Sequence, residues 1–439
     1  MKYIKWFLVL LLAGIVIVVW TNFERLDILS GYSAKSMASS VFTAERDIAF
    51  TDSTDNNFSP VHLAKDEVDL EKRSATASVF GLNERTAIYR AGLGTVLLPH
   101  DYEYTPNDVK PVRNFNKVAL PYPYGHLAPK DTIFENIDYD KLNKTIAQYS
   151  TDSLMTRGIL VLYKDHIIGE QYDEQIHEDS RILGWSMTKS VTSTVYGVLQ
   201  SQGEIDINQP APIEAWKNDE RAAITLNNLL QMNSGLEWVE DYNTICDVTK
   251  MLFQEEDMAA SQADEPLIGE PNNSWYYSSG TTNLLSGILR KQFDSHQAYL
   301  DFWYTDLIDR IGMQSMIVEA DLAGNYVGSS YGWASLRDWA KLGLLYLNKG
   351  NWNGDQVFNE AWYDYAVSPT NSSNGRYGAQ IWLNKGGFLP DVPREVFSFN
   401  GYKGQRVYIY PSKELIVVRM GLKSIDFNGL LRDVIATIE

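Results

Sequence analysis

ILGWSMTKSVT, residues 182–192, places Ser186 three residues before Lys189 at the opening of a helical pattern. Val191, Val195, Val198 and Leu199 recur at helical spacing and stop at Gly203, so the pair belongs to the first turn of a helix. Positions i and i+3 share one helix face, which brings the hydroxyl and the amine within reach of each other. A serine attacks a carbonyl poorly until a base takes its proton, and a lysine is that base only where burial or nearby positive charge disfavours its ammonium. Trp185, Met187 and Val191 offer apolar surroundings, and the amide end of a helix favours the anionic oxygen formed during attack. Ser and Lys are also ordinary cap and surface residues, and a two-position pattern recurs by chance. The pair needs further elements before it means chemistry.

A second element is WYYSSGTTNLL, residues 275–285, between an acidic loop with Pro and Gly at 254–273 and a helical run. It presents Tyr277, followed by Ser278 and Ser279, at a loop-to-helix junction. A phenol sharing a proton with Lys189 relays the serine proton to a leaving group, the acid and base work that acyl transfer needs. A core tyrosine at a turn has the same sequence signature. A third element is FNGYKGQRVYIYP, residues 399–411. Gly401 and Gly404 at the lip of a strand admit close backbone approach to a substrate, and an edge amide there completes an oxyanion hole. Tight-turn glycines are the alternative.

In the order SMTK, YSS and a glycine-rich stretch opening a C-terminal strand, the chain resembles the serine beta-lactamase and penicillin-recognising superfamily. Within it the pattern is similar to the class C-like branch of family VIII carboxylesterases, D-aminopeptidases and 6-aminohexanoate-dimer hydrolases. The resemblance runs through most of residues 140–439, with MNSGLEWVEDY (232–242) and SLRDWAKLG (335–343) also similar to recurrent stretches of that branch. It implies Ser186 as the acylating nucleophile, Lys189 as the lysine that activates it, and Tyr277 as the tyrosine of a YxN or YxS motif. Ser279 then stands where an asparagine often does. Phe399, Asn400 and Gly401 fall on the family's KTG or HxG triplet, which implies an oxyanion hole made by the backbone amides of Ser186 and Tyr402. Asn400, Gly401, Ser279 and Trp275 would border the substrate cleft, although the aromatic residues of this group fit a core equally well. Two departures push away from antibiotic hydrolysis: Phe399 replaces a cationic or imidazole residue, and Ser279 replaces an amide with a smaller hydroxyl.

Around these motifs the pattern predicts an α+β fold, and the resemblance implies an α/β sandwich of the beta-lactamase/transpeptidase type. GILVLYKDHIIGEQY (158–172) reads as two strands turning at Lys164 and Asp165, and QRVYIYPSKELIVVRMG (405–421) as a second hairpin turning at Pro411 to Lys413. Residues 224–232, 282–293, 299–312 and 335–350 read as helices between them. One antiparallel sheet built from both ends of the catalytic region, with helices on both faces and a helical insertion, is what this order implies. The expected organisation is residues 1–23 as a membrane anchor or signal peptide, 24–135 as a stalk and covering segment, and 136–439 as the hydrolase domain.

The 439 residues, 44% apolar and 21% charged, are enough for one large core or two moderate ones. A net charge of -18 argues against nucleic acid, whose phosphates it would repel. Cys246 is the only cysteine, and the six histidines show no metal-ligand spacing, so neither a disulfide, a metal nor a cofactor is expected. Lys2 and Lys5 precede an apolar run from Trp6 to Trp20. That run predicts an uncleaved inner-membrane anchor with a periplasmic body, the membrane being a partner; a cleaved signal peptide and a periplasmic protein are the alternative. At about 1.5 Å per residue the run is about 22 Å long, short for a bilayer core of about 30 Å but extendable to Phe23, with the lysines able to snorkel.

The function expected is a serine hydrolase that cleaves a small ester or amide through an acyl-enzyme on Ser186. The alternative is a membrane-tethered penicillin-recognising protein that acylates and turns over slowly. The sequence does not speak to substrate identity or oligomeric state.

Overall fold

A computed structural model describes residues 2–105, 109–115 and 117–439 of the chain. Met1, residues 106–108 and residue 116, which the anchor and covering-segment readings included, lie outside the described residues. The chain divides into two compact units, one made of residues 1–90, 95–106 and 239–256, the other of residues 91–94, 107–238 and 257–439.

The first unit holds helices α1 (Lys2–Thr21) and α2 (Phe23–Ala38) and an antiparallel sheet of β1 (Ala64–Asp69), β2 (Ser74–Val79), β3 (Leu82–Arg90) and β4 (Gly94–Leu97), paired in that order. Helix α2 buries Ala34, Met37 and Ala38 against Ala75, Ala77 and Ala87 of the sheet. Small side chains on both surfaces let helix and sheet come close, since no long side chain holds them apart.

Among the described residues, no helix is long and apolar enough to cross a membrane. This overturns the reading of residues 1–23 as a membrane-spanning anchor, and with it the membrane partner and the inner-membrane single-pass placement. The physical reason lies in the run itself. Helix α1 has 20 residues, but Lys2 and Lys5 fall within it. The charge-free stretch that remains covers about three quarters of a hydrocarbon core of about 30 Å.

The second unit carries α3 (Tyr139–Tyr149), β5 (Thr156–Tyr163), β6 (His166–Tyr172), α4 (Thr188–Gln202), α5 (Ser279–Arg290) and α6 (Leu336–Leu347). It continues with β7 (Trp382–Leu383), β8 (Phe397–Gly401), β9 (Gln405–Tyr410), β10 (Leu415–Gly421) and α7 (Phe427–Ile435). The sheet runs β7-β8-β9-β10-β5-β6, antiparallel throughout, so strands from both ends of the unit meet at its centre, with Val417 opposite Val161. Both predicted hairpins form. Lys164 and Asp165 take φ of 47° and 63°, the left-handed pair that a two-residue hairpin turn requires.

Side-chain alternation decides which layer each strand residue joins. Leu415, Val417, Val161 and Tyr408 pack with Leu142 and Ile146 of α3 and with Leu430, Leu431 and Val434 of α7. The alternate residues Ile416, Val407 and Ile409 face α6, where a Cβ on Gly343 would come within 3.0–3.5 Å of them. The result is the expected α+β sandwich, with antiparallel strands between helical layers. The chain between β6 and β7 is the helical insertion, and α4 runs through it.

Candidate active site

Helix α4 is buried on every side from Thr188 to Leu199, which for a helix rich in Ser and Thr demands a partner for each hydroxyl. Ser190 donates to Gln380 O, Thr192 to Gly328 O and Ser193 to Ala379 O, at 3.0, 3.0 and 2.8 Å. The helix is thus pinned on several sides, and its first turn is a rigid platform. Gly203 closes it in the left-handed region, φ 78°.

A single 3-10 turn, Trp185–Met187, leads into α4. Trp185 sits at φ 48°, a conformation rarely adopted by a bulky side chain and held only where the surroundings over-determine it. They do so here. Thr188 Oγ1 donates to Trp185 O at 2.8 Å and accepts from Gly332 N at 2.9 Å, while Gly184 N donates to Gly332 O at 2.8 Å. The strained residue stands immediately before Ser186 and turns the chain sharply into the helix.

Lys189 is 1% exposed and Ser186 9%. Lys189 Nζ lies 3.0 Å from Ser186 Oγ, 2.9 Å from Ser279 Oγ and 3.0 Å from the carbonyl oxygen of Ser329. The ammonium also sits 4.8 Å from the centre of the Tyr277 ring, within cation-π range. Ser278 caps α5 by accepting from Thr281 N at 2.9 Å. That cap sets Ser279 into the first turn of α5, facing Lys189, and Tyr277 just outside it. Tyr277 packs against Tyr377 and Trp382, with ring centres 5.8 and 5.3 Å away, and Trp275 joins the same two residues at 5.4 and 6.1 Å.

On the strand side, a Cβ on Gly401 would stand 2.0 Å from Gly184 O. Only glycine permits the end of β8 to lie against the turn that carries Ser186. Tyr402 follows, its ring edge-on to Trp185 at 5.4 Å. Asn400 on β8 pairs with Arg406 on β9, and its Oδ1 is buried with no hydrogen-bond partner among the described residues. Phe399 is fully buried, its ring 5.4 Å from that of Tyr346. The position that the resemblance placed on the KTG or HxG triplet is therefore core. Tyr331, 6.4 Å from Trp185, has its hydroxyl pushed well above the ordinary range by burial and by the charge of Glu319, so it stays protonated.

The structure therefore gathers Ser186, Lys189, Ser279 and Tyr277 around one amine, brings Gly401 and Tyr402 against the Ser186 turn, and puts Trp275 in an aromatic cluster beside Tyr277. Four participants escaped the sequence reading: Ser329; Asn283, whose Oδ1 accepts from Ser329 N at 3.1 Å; Tyr377; and Trp382. A signal for Ser329 existed. GSSYG at 328–332 is a small-residue run between predicted helices, and a Cβ on Gly328 or Gly332 would strike Thr192 or Thr188 of α4 at 2.4 or 2.7 Å. Among the described residues, no group of three or more His, Cys, Asp or Glu side chains is arranged to hold a metal ion.

A family model described as beta-lactamase matches residues 152–423, more than half of the chain. The chain belongs to the beta-lactamase family. Membership makes it, in general terms, a hydrolase of the serine type. No curated protein matches it. Among solved structures, the beta-lactamase fold seen here is similar to that of a Bacillus anthracis protein assigned as a 6-aminohexanoate-dimer hydrolase (20% identity, 65% of this chain and 79% of that one, TM-score 0.55). It is also similar to a family VIII carboxylesterase (15% identity, 71% and 99% covered, TM-score 0.56). A penicillin-binding protein homolog from Caulobacter crescentus shows the same likeness (13% identity, 71% and 100% covered, TM-score 0.54). At these identities the likeness carries the fold, and the substrate has to be argued from the site.

Proposed function

We propose that the chain hydrolyses a small, uncharged carboxylic ester or amide through an acyl-enzyme on Ser186. The observation that carries the reading is the 3.0 Å contact between Ser186 Oγ and the Nζ of a lysine that is 1% exposed. Burial costs an ammonium its hydration, which favours the neutral amine that accepts a proton.

In the first step Ser186 Oγ bonds to the substrate carbonyl carbon as its proton passes to Lys189, and the carbonyl π pair moves onto oxygen. The backbone N–H groups of Ser186 and Tyr402 receive that oxyanion. The packing of Gly401 on Gly184 O supports this pairing, because it draws the end of β8 up to the Ser186 turn. Collapse of the tetrahedral adduct breaks the bond to the alcohol or amine, which leaves with the proton held by Lys189 and relayed by Tyr277. Water then adds to the ester on Ser186, gives a proton to the same base, and releases the acid with Ser186 restored. Every group returns to its starting protonation state, and no metal or organic cofactor enters.

Substrate charge follows from the strand side. Phe399 is core, so no cation from that position reaches a carboxylate, and the half-buried Trp275, Tyr277 and Trp382, backed by the buried Tyr377, offer ring surface to an apolar acyl or leaving group. The test is intact-protein mass spectrometry of the full chain with p-nitrophenyl butyrate and, separately, benzylpenicillin, following p-nitrophenol release. A transient acyl adduct with continuing release, both abolished in Ser186→Ala, is expected. A stable penicillin adduct with little turnover would favour slow penicillin recognition instead, and labelling that survives Ser186→Ala would remove Ser186 as nucleophile.

A further inference from the structure

The proposed oxyanion hole takes one of its two N–H groups from Tyr402, and that N–H belongs to the peptide joining Gly401 to Tyr402. The peptide is trans and planar, so its carbonyl and its N–H point in opposite directions. Whatever holds the Gly401 oxygen on one side therefore aims the Tyr402 N–H on the other.

A cation holds that oxygen. Arg406 stands on β9 opposite Asn400 of β8, and its Nη1 donates to Gly401 O at 2.7 Å and to Gln405 O at 2.8 Å. The guanidinium rests on the ring of Phe427, 4.6 Å from its centre, within cation-π range. Phe427 opens α7 and belongs to the core that α7 makes with the sheet, so the seat of the cation is rigid. The carbonyl on the other side of Tyr402 is held too. Gln405 donates from Nε2 to Tyr402 O at 3.2 Å, while its carboxamide pairs with the backbone of Gly421, Nε2 to the carbonyl and Oε1 from the N–H. Adjacent side chains of β9 thus grip the carbonyls before and after Tyr402, in a turn where Lys403 and Gly404 take φ of 57° and 84°. A hydrogen bond from a cation does more than aim a peptide. It draws electron density onto the carbonyl oxygen, favours the amide resonance form with positive nitrogen, and makes the N–H a stronger donor.

We propose that Arg406 is a positioning residue for the oxyanion hole: seated on Phe427, it holds the Gly401 carbonyl so that the Tyr402 N–H is aimed at, and polarised toward, the oxygen that gains charge during acylation. This deepens the acyl-enzyme reading and rests on it. Arg406 acts through the peptide. Its effect therefore belongs to the transition state, where the oxyanion exists, and not to the bound ester.

The experiment follows single-turnover acylation of the full chain by p-nitrophenyl butyrate, beside inhibition by phenylboronic acid, whose tetrahedral adduct on Ser186 Oγ sets an oxygen in the hole. Endpoint labelling with a fluorophosphonate counts competent sites, so that rates are read per site. Arg406→Met and Arg406→Gln both remove the cation, and whichever chain folds carries the test. The maximal acylation rate should fall roughly 10- to 30-fold, less than the loss of a hole donor because the N–H itself remains. The half-saturating concentration should stay within about twofold, and inhibition by phenylboronic acid should weaken by the same factor as the rate. Arg406→Lys keeps the charge and a donor without the planar fork, and should fall between those variants and the parent. Fewer competent sites that keep the parent rate and boronic acid affinity would make Arg406 a strand brace alone. A change confined to half-saturation would make it a substrate contact. Either result overturns the proposal while leaving the hydrolase reading intact, whereas a parent chain that neither labels nor acylates removes both.

Discussion

Two buried cations in the same unit meet opposite fates. Lys189 is 1% exposed and Arg419 0%. Arg419, on β10, donates to Gly404 O, Lys423 O, Leu154 O and Thr156 Oγ1 at 3.1, 2.7, 2.9 and 2.8 Å. Burial, with the charge of Arg406, pulls its guanidinium down to about 10, which still leaves it fully protonated at neutral pH. A fork of fixed donors set among carbonyls ties two strands and a turn together and does nothing else. Lys189 meets two hydroxyls and one carbonyl, on an amine that can lose a proton. What separates structure from chemistry here is whether the neighbours of a buried charge can return a proton to it.

The sharpest way to break that contrast is Lys189→Met, which keeps the stem and removes the amine. Acylation should fall by about 10³-fold, the scale of a lost general base. Stability should hold or rise, because exchanging a buried charge for an apolar side chain is often neutral or favourable. Urea unfolding beside single-turnover kinetics reads both, and a chain that unfolds but whose remaining folded molecules keep their rate would reverse the two roles. Arg419→Met should do the opposite. Four acceptors lose a charged donor, so the free energy of unfolding should drop by about 4 kcal/mol, while the rate per folded molecule stays within about twofold. A large rate loss in a stable Arg419→Met chain would show that the strand tie also tunes the site.

A buried anion sharpens the comparison from the other side. Asp321 is 1% exposed, and burial, reinforced by the charge of Asp257, raises its carboxyl to about 6 despite hydrogen bonds from Asn325 and from the backbone of Met258. A folded carboxyl that keeps its proton longer than the unfolded one contributes stability that is full below about pH 4 and is lost as pH rises through about 6. Its worth is roughly 2–3 kcal/mol by the size of that shift. Asp321→Asn should therefore flatten the pH dependence of unfolding between pH 4 and 7 without touching acylation. An unchanged slope would mean the carboxyl titrates as it does in the unfolded chain.

Much of this was legible in advance because it is local. Helical spacing around Val191, Val195 and Leu199 put Ser186 and Lys189 on a first helical turn, and the KD turn and the alternating strands around it gave a hairpin. Tyr277 at the mouth of α5 was visible because the helix starts at a serine cap. The N-terminal run misled, since charge followed by apolar residues reads as an anchor whether or not the stretch is long enough to span. Trp382 and Tyr377 were illegible for a different reason, and the glycines flanking Ser329 marked a close approach without saying to what. Their places beside Tyr277 and Lys189 depend on pairings between segments about 100 to 140 residues apart, and no periodicity encodes such a distance.

By itself the sequence determined the kinds of groups and their local spacing: a serine and a lysine one turn apart, a tyrosine at a helix mouth, a strand opening on glycine. Those are set by backbone geometry within a few residues, which every chain of that composition must obey. Only the tertiary structure decided that Lys189 would be dry and ringed by two serines and a carbonyl, that Phe399 would be core, and that Gly401 would close against Gly184. Burial and hydrogen-bond partnership are properties of what the rest of the chain packs around a residue, and in the proposed mechanism they turn an ordinary lysine into a base.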